Sequence, residues 1–226
     1  MGNCSCYKVS KNEEEINLKP PESKHSLSDT FNGVRNQVTP ELGSIVLEIL
    51  EGNNSEVETL RVLWRELNES SCLVLGLALQ ELPCLKEITL KDNLIGHHFS
   101  KLKSGLAYCA SLTKLSITKN NLGNEGAGVL EGVLPNLVEL EELILEDNGI
   151  SDEGAQYLAV GLSRLSKFRL LWVQRNQIKG PGLIKLAQTL HKIQSFEELH
   201  FDSEFLSAEE IHKVQELVPR IIVNQV

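Results

Sequence analysis

A period of 28 residues constrains this chain more than any other feature. The stretch 140–150, LEELILEDNGI, sets Leu140, Leu143, Leu145 and Ile150 around a single Asn148. The same frame opens at Val57, Leu85, Leu112, Phe168 and Phe196, so the steps run 28, 27, 28, 28 and 28 residues. A second pattern keeps phase with it: Gly126-Ala127, Leu130, Leu134; Gly154-Ala155, Leu158, Leu162; Gly182-Leu183, Leu186, Leu190. The first pattern reads as a short strand followed by a turn, and the second has helical spacing. Units of this size cannot bury their apolar faces alone, so the repetition predicts a solenoid of stacked units.

The interlocked patterns resemble the leucine-rich repeat, in the long αβ subtype of ribonuclease inhibitor, Ran GTPase-activating protein and the C-terminal sensing regions of NOD-like receptors. The resemblance spans Val57 to Val226. It implies an α/β horseshoe with parallel strands on the concave face, helices on the convex face, and partner binding on the concave side. Asn93, Asn120, Asn148 and Asn176 occupy the turn, while Arg65 and Glu204 stand there in the first and last units. An amide at that place has donors and an acceptor for backbone groups of adjoining coils that would otherwise be buried unpaired. Terminal units lack a neighbour on one side, which fits the two substitutions. In the shorter unit, Phe99, Leu102 and Leu106 match Ala127, Leu130 and Leu134 once one residue is dropped between Ile95 and the helix.

The expected organisation is a disordered tail over 1–38 and a repeat domain over 39–226. Within the latter lie a cap helix at 39–52, about six repeats at 57–218 and a closing strand at 220–224. The cap helix starts with Thr39 as N-cap and Pro40 at the first helical position. Leu42, Ile45, Val46, Ile49 and Leu50 form its apolar face, which is expected to cover the first strand. The tail is polar, with Glu13–Glu15 and Pro20-Pro21, and is read as a tether.

The first residues, MGNCSCYKVSK, resemble the start of N-myristoylated proteins. After removal of Met1, Gly2 would carry the acyl chain, and Cys4 and Cys6 would be palmitoylation sites. One departure from the motif is Cys6 where Ser or Thr is usual. The combination is physically sensible, because one myristoyl chain binds a membrane only marginally and a second chain stabilises attachment. Lys8 and Lys11 would add a small electrostatic contribution. The expected location is therefore cytoplasmic, at the inner face of the plasma membrane or an endomembrane.

The five cysteines include no CxxC pair, so neither a disulfide framework nor a zinc site is indicated. The sequons at Asn3, Asn53 and Asn68 have no preceding apolar segment of signal-peptide length. Residues 1–38 carry five basic and five acidic side chains, which leaves the whole formal charge of −9 on the remainder. That sign argues against nucleic acid as a partner. There is no phosphate loop, no nucleophile in a recognisable frame and no HExxH, and His97-His98 lacks further ligands at metal spacing. The reading is a non-enzymatic module without cofactor, metal or small-molecule substrate, binding another protein.

On the concave surface the residues between apolar anchors face outward. The partner-binding candidates are Trp64, Trp172, Glu141, Glu142, Glu146, Gln174, His200 and Asp202. Trp is common at binding hot spots, against the alternative that it packs over its own neighbours. Asp92, Lys119, Asp147 and Arg175, which precede the asparagines, alternate in sign and are expected to form cross-strand pairs. That leaves Glu141, Glu142, Glu146, Glu197, Glu198 and Asp202 free for a basic partner. Two rivals keep the fold and change the role: an enzyme regulator, either a stoichiometric inhibitor or a GTPase-activating factor, and an innate-immune sensing component resembling NOD-like receptor repeats. Fold alone does not decide among them.

Overall fold

The computed structural model describes residues 24–52, 56–63, 66–218 and 220–224. Among these residues seven parallel strands form one sheet in strict chain order: β1 (Thr59–Leu63), β2 (Glu87–Lys91), β3 (Lys114–Thr118), β4 (Glu142–Ile144), β5 (Leu170–Trp172), β6 (Glu198–Asp202) and β7 (Ile221–Asn224). From β1 to β6 every strand pairs with the next at an offset set by the repeat, as in Leu143 beside Leu171 and Leu171 beside Leu199, whereas β7 follows β6 more closely, with Ile221 beside Leu199. Helices return between strands: α3 (Glu69–Gln80), α4 (Lys103–Tyr108), α5 (Gly123–Val133), α6 (Asp152–Leu162), α7 (Gly180–Leu190) and α8 (Ala208–Leu217). The architecture is an open α/β solenoid, one layer of strands against one layer of helices.

The core is the seam between the layers. Leu115, Leu143, Leu171 and Leu199 point inward from successive strands, and Leu130, Leu158 and Leu186 meet them from the helices, all fully buried. In the short unit Phe99, Leu102 and Leu106 are equally buried, so the lost residue falls in the loop as expected. The unit compensates by entering its helix through a 3-10 segment, Gly96–Leu102. A 3-10 turn rises about 0.5 Å more per residue than an α-helix, which over that segment roughly replaces the length of one extended residue. Tight stacking here needs glycine. A Cβ on Gly76 of α3 would lie 2.4 Å from the Lys101 carbonyl oxygen, and one on Gly105 of α4 would lie 2.0 Å from that of Gly76.

Among the described residues two α-helices precede the sheet, α1 (Lys24–Val34) and α2 (Pro40–Leu50). The tail expected to stay unfolded to Val38 is therefore helical from Lys24. Leu27 and Phe31 are buried, Val34 packs against them, and the Arg35 guanidinium lies 5.9 Å from the Phe31 ring centre. Apolar residues at i, i+4 and i+7 make one helical face inside an otherwise polar stretch. Leu42, Val46 and Ile49 of α2 are buried as expected, although the contacts of α1 and α2 are chiefly with α3 and not with β1. Thr39 occupies the N-cap position with extended backbone, yet its hydroxyl makes no capping bond and is buried without a partner. The tie to the repeats comes from Asn68. Its amide nitrogen donates to the Gln37 carbonyl at 2.8 Å while its oxygen accepts the Ser71 N–H at 2.9 Å and caps α3.

At the other end, α8 begins with a reciprocal capping box between Ser207 and Glu210 and buries only Val214 among its inward residues. Its remaining faces are polar, the composition a terminal unit needs. β7 then adds the closing strand beside β6.

Candidate functional site: the concave face of the sheet

The asparagine ladder fixes the strand ends, and with them the concave surface. Asn120 N–H donates to the Asn148 amide oxygen at 3.0 Å, and Asn148 N–H to that of Asn176 at 3.1 Å. Each amide nitrogen reaches back one coil, Asn120 to the Leu90 carbonyl and Asn176 to that of Leu145, both at 2.9 Å. Asn93, Asn120 and Asn148 are buried. The chain bends there through left-handed backbone at the preceding residue, with φ of 58° at Asp92, 56° at Lys119, 57° at Asp147 and 53° at Arg175. In the last unit the ladder ends differently. Glu204 is exposed, and the Asp202 carboxylate accepts the Arg175 N–H, where the preceding turns use a backbone carbonyl, as Asp147 N–H uses that of Gln174.

A second ladder, absent from the sequence reading, runs along the helix starts. The Asn124 amide oxygen accepts the N–H groups of Ser151 (3.0 Å) and Gly154 (3.1 Å), and Asp152 accepts those of Lys179 (2.7 Å) and Gly182 (3.2 Å). Each side chain caps the helix of the following unit, meeting amides that the helix cannot satisfy itself. The signal was present as a polar residue at the same place in two successive repeats.

The register lines up three outward rows. The first runs Lys114, Glu142, Leu170, Glu198 and the second Ser116, Ile144, Trp172, His200, Ile222. The third lies two residues further along each strand and holds Thr118, Glu146, Gln174 and Asp202. The second row is apolar and aromatic in its latter half. Trp172 is half-buried with its ring stacked on His200, centroids 4.4 Å apart at 30°, and Ile222 is 39% exposed. The His200 ring nitrogen Nε2 lies 3.3 Å from a Glu198 carboxylate oxygen. Gln174 is buried. Trp64 and the lipidation candidates Gly2, Cys4 and Cys6 lie outside the described residues.

The charge pairing differs from expectation. Among the described residues no ion pair joins Asp92 to Lys119 or Asp147 to Arg175, all of which sit at the left-handed turns. The pairs form between residues on the strands or flanking them, with Arg175 reaching back to Glu146, and they engage the acids expected to be free. Arg169 holds Glu197 through two bonds of 2.9 Å and Glu141 at 3.2 Å; Lys114 meets Glu142 at 2.7 Å, Arg175 meets Glu146 at 3.4 Å, and Arg220 meets Glu198 at 3.1 Å. The bidentate Arg169 guanidinium holds the Glu197 carboxyl below its ordinary range, and the same contacts raise Arg169.

Other features bear on packing more than on chemistry. The Cys72 and Cys109 thiols are buried, and desolvation pushes both up to about 12, so neither is a nucleophile at neutral pH. Among the described residues no group of three or more His, Cys, Asp or Glu is placed to hold a metal ion, and no helix is long and apolar enough to cross a membrane. A cavity of about 10 Å³ under Phe205, beside Val173 and Leu183, has room for at most one water.

A family model described as Leucine Rich repeat matches residues 108–130 and 139–159. No curated protein matches the chain. Among solved structures, an internalin from Listeria monocytogenes is similar at 11% identity, with 91% of this chain and 89% of that chain covered and a TM-score of 0.23. The strand, asparagine turn and returning helix recur at the period of the sequence: the fold is a repeat solenoid, and the leucine-rich-repeat model matches two of its turns.

Proposed function

We propose that this chain is a protein-interaction module whose contact surface is the C-terminal half of the concave sheet. The observation that carries the reading is the row Ile144, Trp172, His200 and Ile222, where a large aromatic and two aliphatic side chains stand on the outer side of a rigid sheet. The equivalent places on β2 and β3 are Thr89 and Ser116, so the apolar surface is local to the later repeats. Half-buried aromatics on a rigid framework are the residues that contribute most at protein interfaces. Capture of binding proteins by the wild-type chain and by Trp172→Ala tests this. Loss of a bound protein with unchanged thermal stability supports the reading, and retention removes it.

The same proposal places the module at a membrane through an acylated Gly2 with Cys4 and Cys6. It is supported by the residue types of MGNCSCYK and by the need of a single acyl chain for a second attachment. In cells expressing a fusion with a free N-terminus, the wild type is expected in the membrane fraction and Gly2→Ala in the soluble one. Cys4→Ser/Cys6→Ser is expected to exchange between the two. Attachment that survives Gly2→Ala overturns the anchor.

A further inference from the structure

The charge around the apolar row has a strong sign. The segments 140–148, 168–176 and 196–204 carry eight carboxylates and two guanidinium groups, a net −6 within a chain of −9, while 85–93 is neutral and 112–120 is +2. Glu142 and Glu198 flank the row on one side, Glu146 and Asp202 on the other. Six acids around the row, Glu141, Glu142, Glu146, Glu197, Glu198 and Asp202, share four cations: Lys114 meets Glu142, Arg220 meets Glu198, Arg169 is shared by Glu141 and Glu197, and Arg175 serves Glu146 through its guanidinium and Asp202 through its N–H.

The spacing of the row selects what fits it. Successive members sit on adjacent strands, about 4.8 Å apart. An α-helix laid across the strands advances about 5.4 Å per turn, so one apolar residue per turn drifts by only about 2 Å over the three gaps from Ile144 to Ile222. An extended segment repeats its facing side chain every 6.7 Å or so and drifts by about 6 Å over the same distance. The flanking rows lie about 13 Å apart, close to the diameter of a helix with its side chains. We propose that this lane receives a cationic amphipathic helix of about three turns from a partner protein, its apolar stripe on Ile144, Trp172 and Ile222 and its Lys or Arg side chains beside Glu142, Glu146, Glu198 and Asp202. The inference rests on the concave-face reading above and adds the partner's shape and sign.

The probe is a Leu/Lys peptide of about 14 residues with helical apolar spacing, titrated onto the full chain. Two comparators have the same composition pattern, one with Glu in place of Lys and one with strand spacing. The helical Leu/Lys peptide is expected to bind at least about tenfold more tightly than either, with affinity that falls as salt rises. Trp172→Ala should weaken it about 30-fold. Joint replacement Glu142→Gln, Glu146→Gln, Glu198→Gln and Asp202→Asn, which keeps side-chain shape and hydrogen-bond acceptors, should remove most of the salt dependence. Equal binding of the Lys and Glu peptides, tighter binding of the strand-spaced peptide, or no effect of the carboxylate replacements overturns the proposal. If no peptide binds while a natural partner still contacts Leu170 on the concave face, the cationic helix is refuted and the concave reading stands. If contact moves to the helices, both fail.

Discussion

Asn148→Ala removes the middle rung of the ladder, and its cost can be worked from the bonds it breaks. The side chain is 1% exposed. Its oxygen accepts from Asn120 N–H at 3.0 Å and, more weakly, from Leu122 N–H at 3.4 Å, and its nitrogen donates to the Ile117 and Glu146 carbonyls. The Glu146 carbonyl keeps the Lys119 N–H at 3.0 Å, so that loss is partial. The Asn120 N–H has no comparable refuge, because it sits on a buried residue between two coils. One fully orphaned donor and three lesser losses, at Leu122, Ile117 and Glu146, at about 1–3 kcal/mol for a buried group left unpaired, give a destabilisation of about 2–4 kcal/mol. Glu204 occupies the same frame at the end of the series, is exposed, and has no side-chain hydrogen bond among the described residues. Glu204→Ala should therefore change stability by less than about 0.5 kcal/mol. In urea titrations followed by circular dichroism the first variant should shift the midpoint by about 1 M and the second hardly at all. Equal shifts would refute the argument that burial between two coils makes the interior amides matter.

Asp152→Ala uncaps α7 and should cost about 1 kcal/mol in thermal or urea melts, with Asp152→Asn recovering most of it because the acceptor is kept. Phe31→Ala should destabilise by about 3–5 kcal/mol, as a buried aromatic does, and expose α1 to rapid amide exchange; a silent substitution would show that α1 is not part of the folded domain. The Glu197 carboxyl is held below its ordinary value by Arg169, so its contribution is present above the unfolded-state carboxylate range and is lost as pH falls through the lowered folded value. Arg169→Ala should thus lower the melting temperature near neutrality and leave a difference from wild type that closes in acid and shrinks in high salt.

The apolar frame was legible because each inward position recurs: Leu143, Leu171 and Leu199 are the same place in three coils, and repetition averages out the ambiguity of any one strand. The asparagines were legible for the same reason. α1 was not, since Leu27, Phe31 and Val34 belong to no repeat and sit in a segment whose mean composition is polar; only their helical spacing marks them. The charged ladder was misplaced by one structural detail. Sign alternation at Asp92, Lys119, Asp147 and Arg175 is real, but at these left-handed turns Asp92 does not pair with Lys119 nor Asp147 with Arg175, and Arg175 meets Glu146 instead. A parallel alternation at Glu58, Lys86, Glu141, Arg169 and Glu197 is the one that pairs across strands. Pairing is decided by backbone direction, which sign patterns do not encode. Trp172, His200 and the flanking acids share one surface of the sheet, and the contribution of Ile222 depended on seeing β7 continue the row beyond β6.

Site-specific photo-crosslinking tests the central claim, that partners meet the concave face of the later repeats, most directly. A photoreactive amino acid is placed in turn at Leu170 on the sheet and at Val160, which is 52% exposed on helix α6. Adducts to a bound protein from Leu170 and none from Val160 are the predicted result, and adducts from Val160 with none from Leu170 would contradict it.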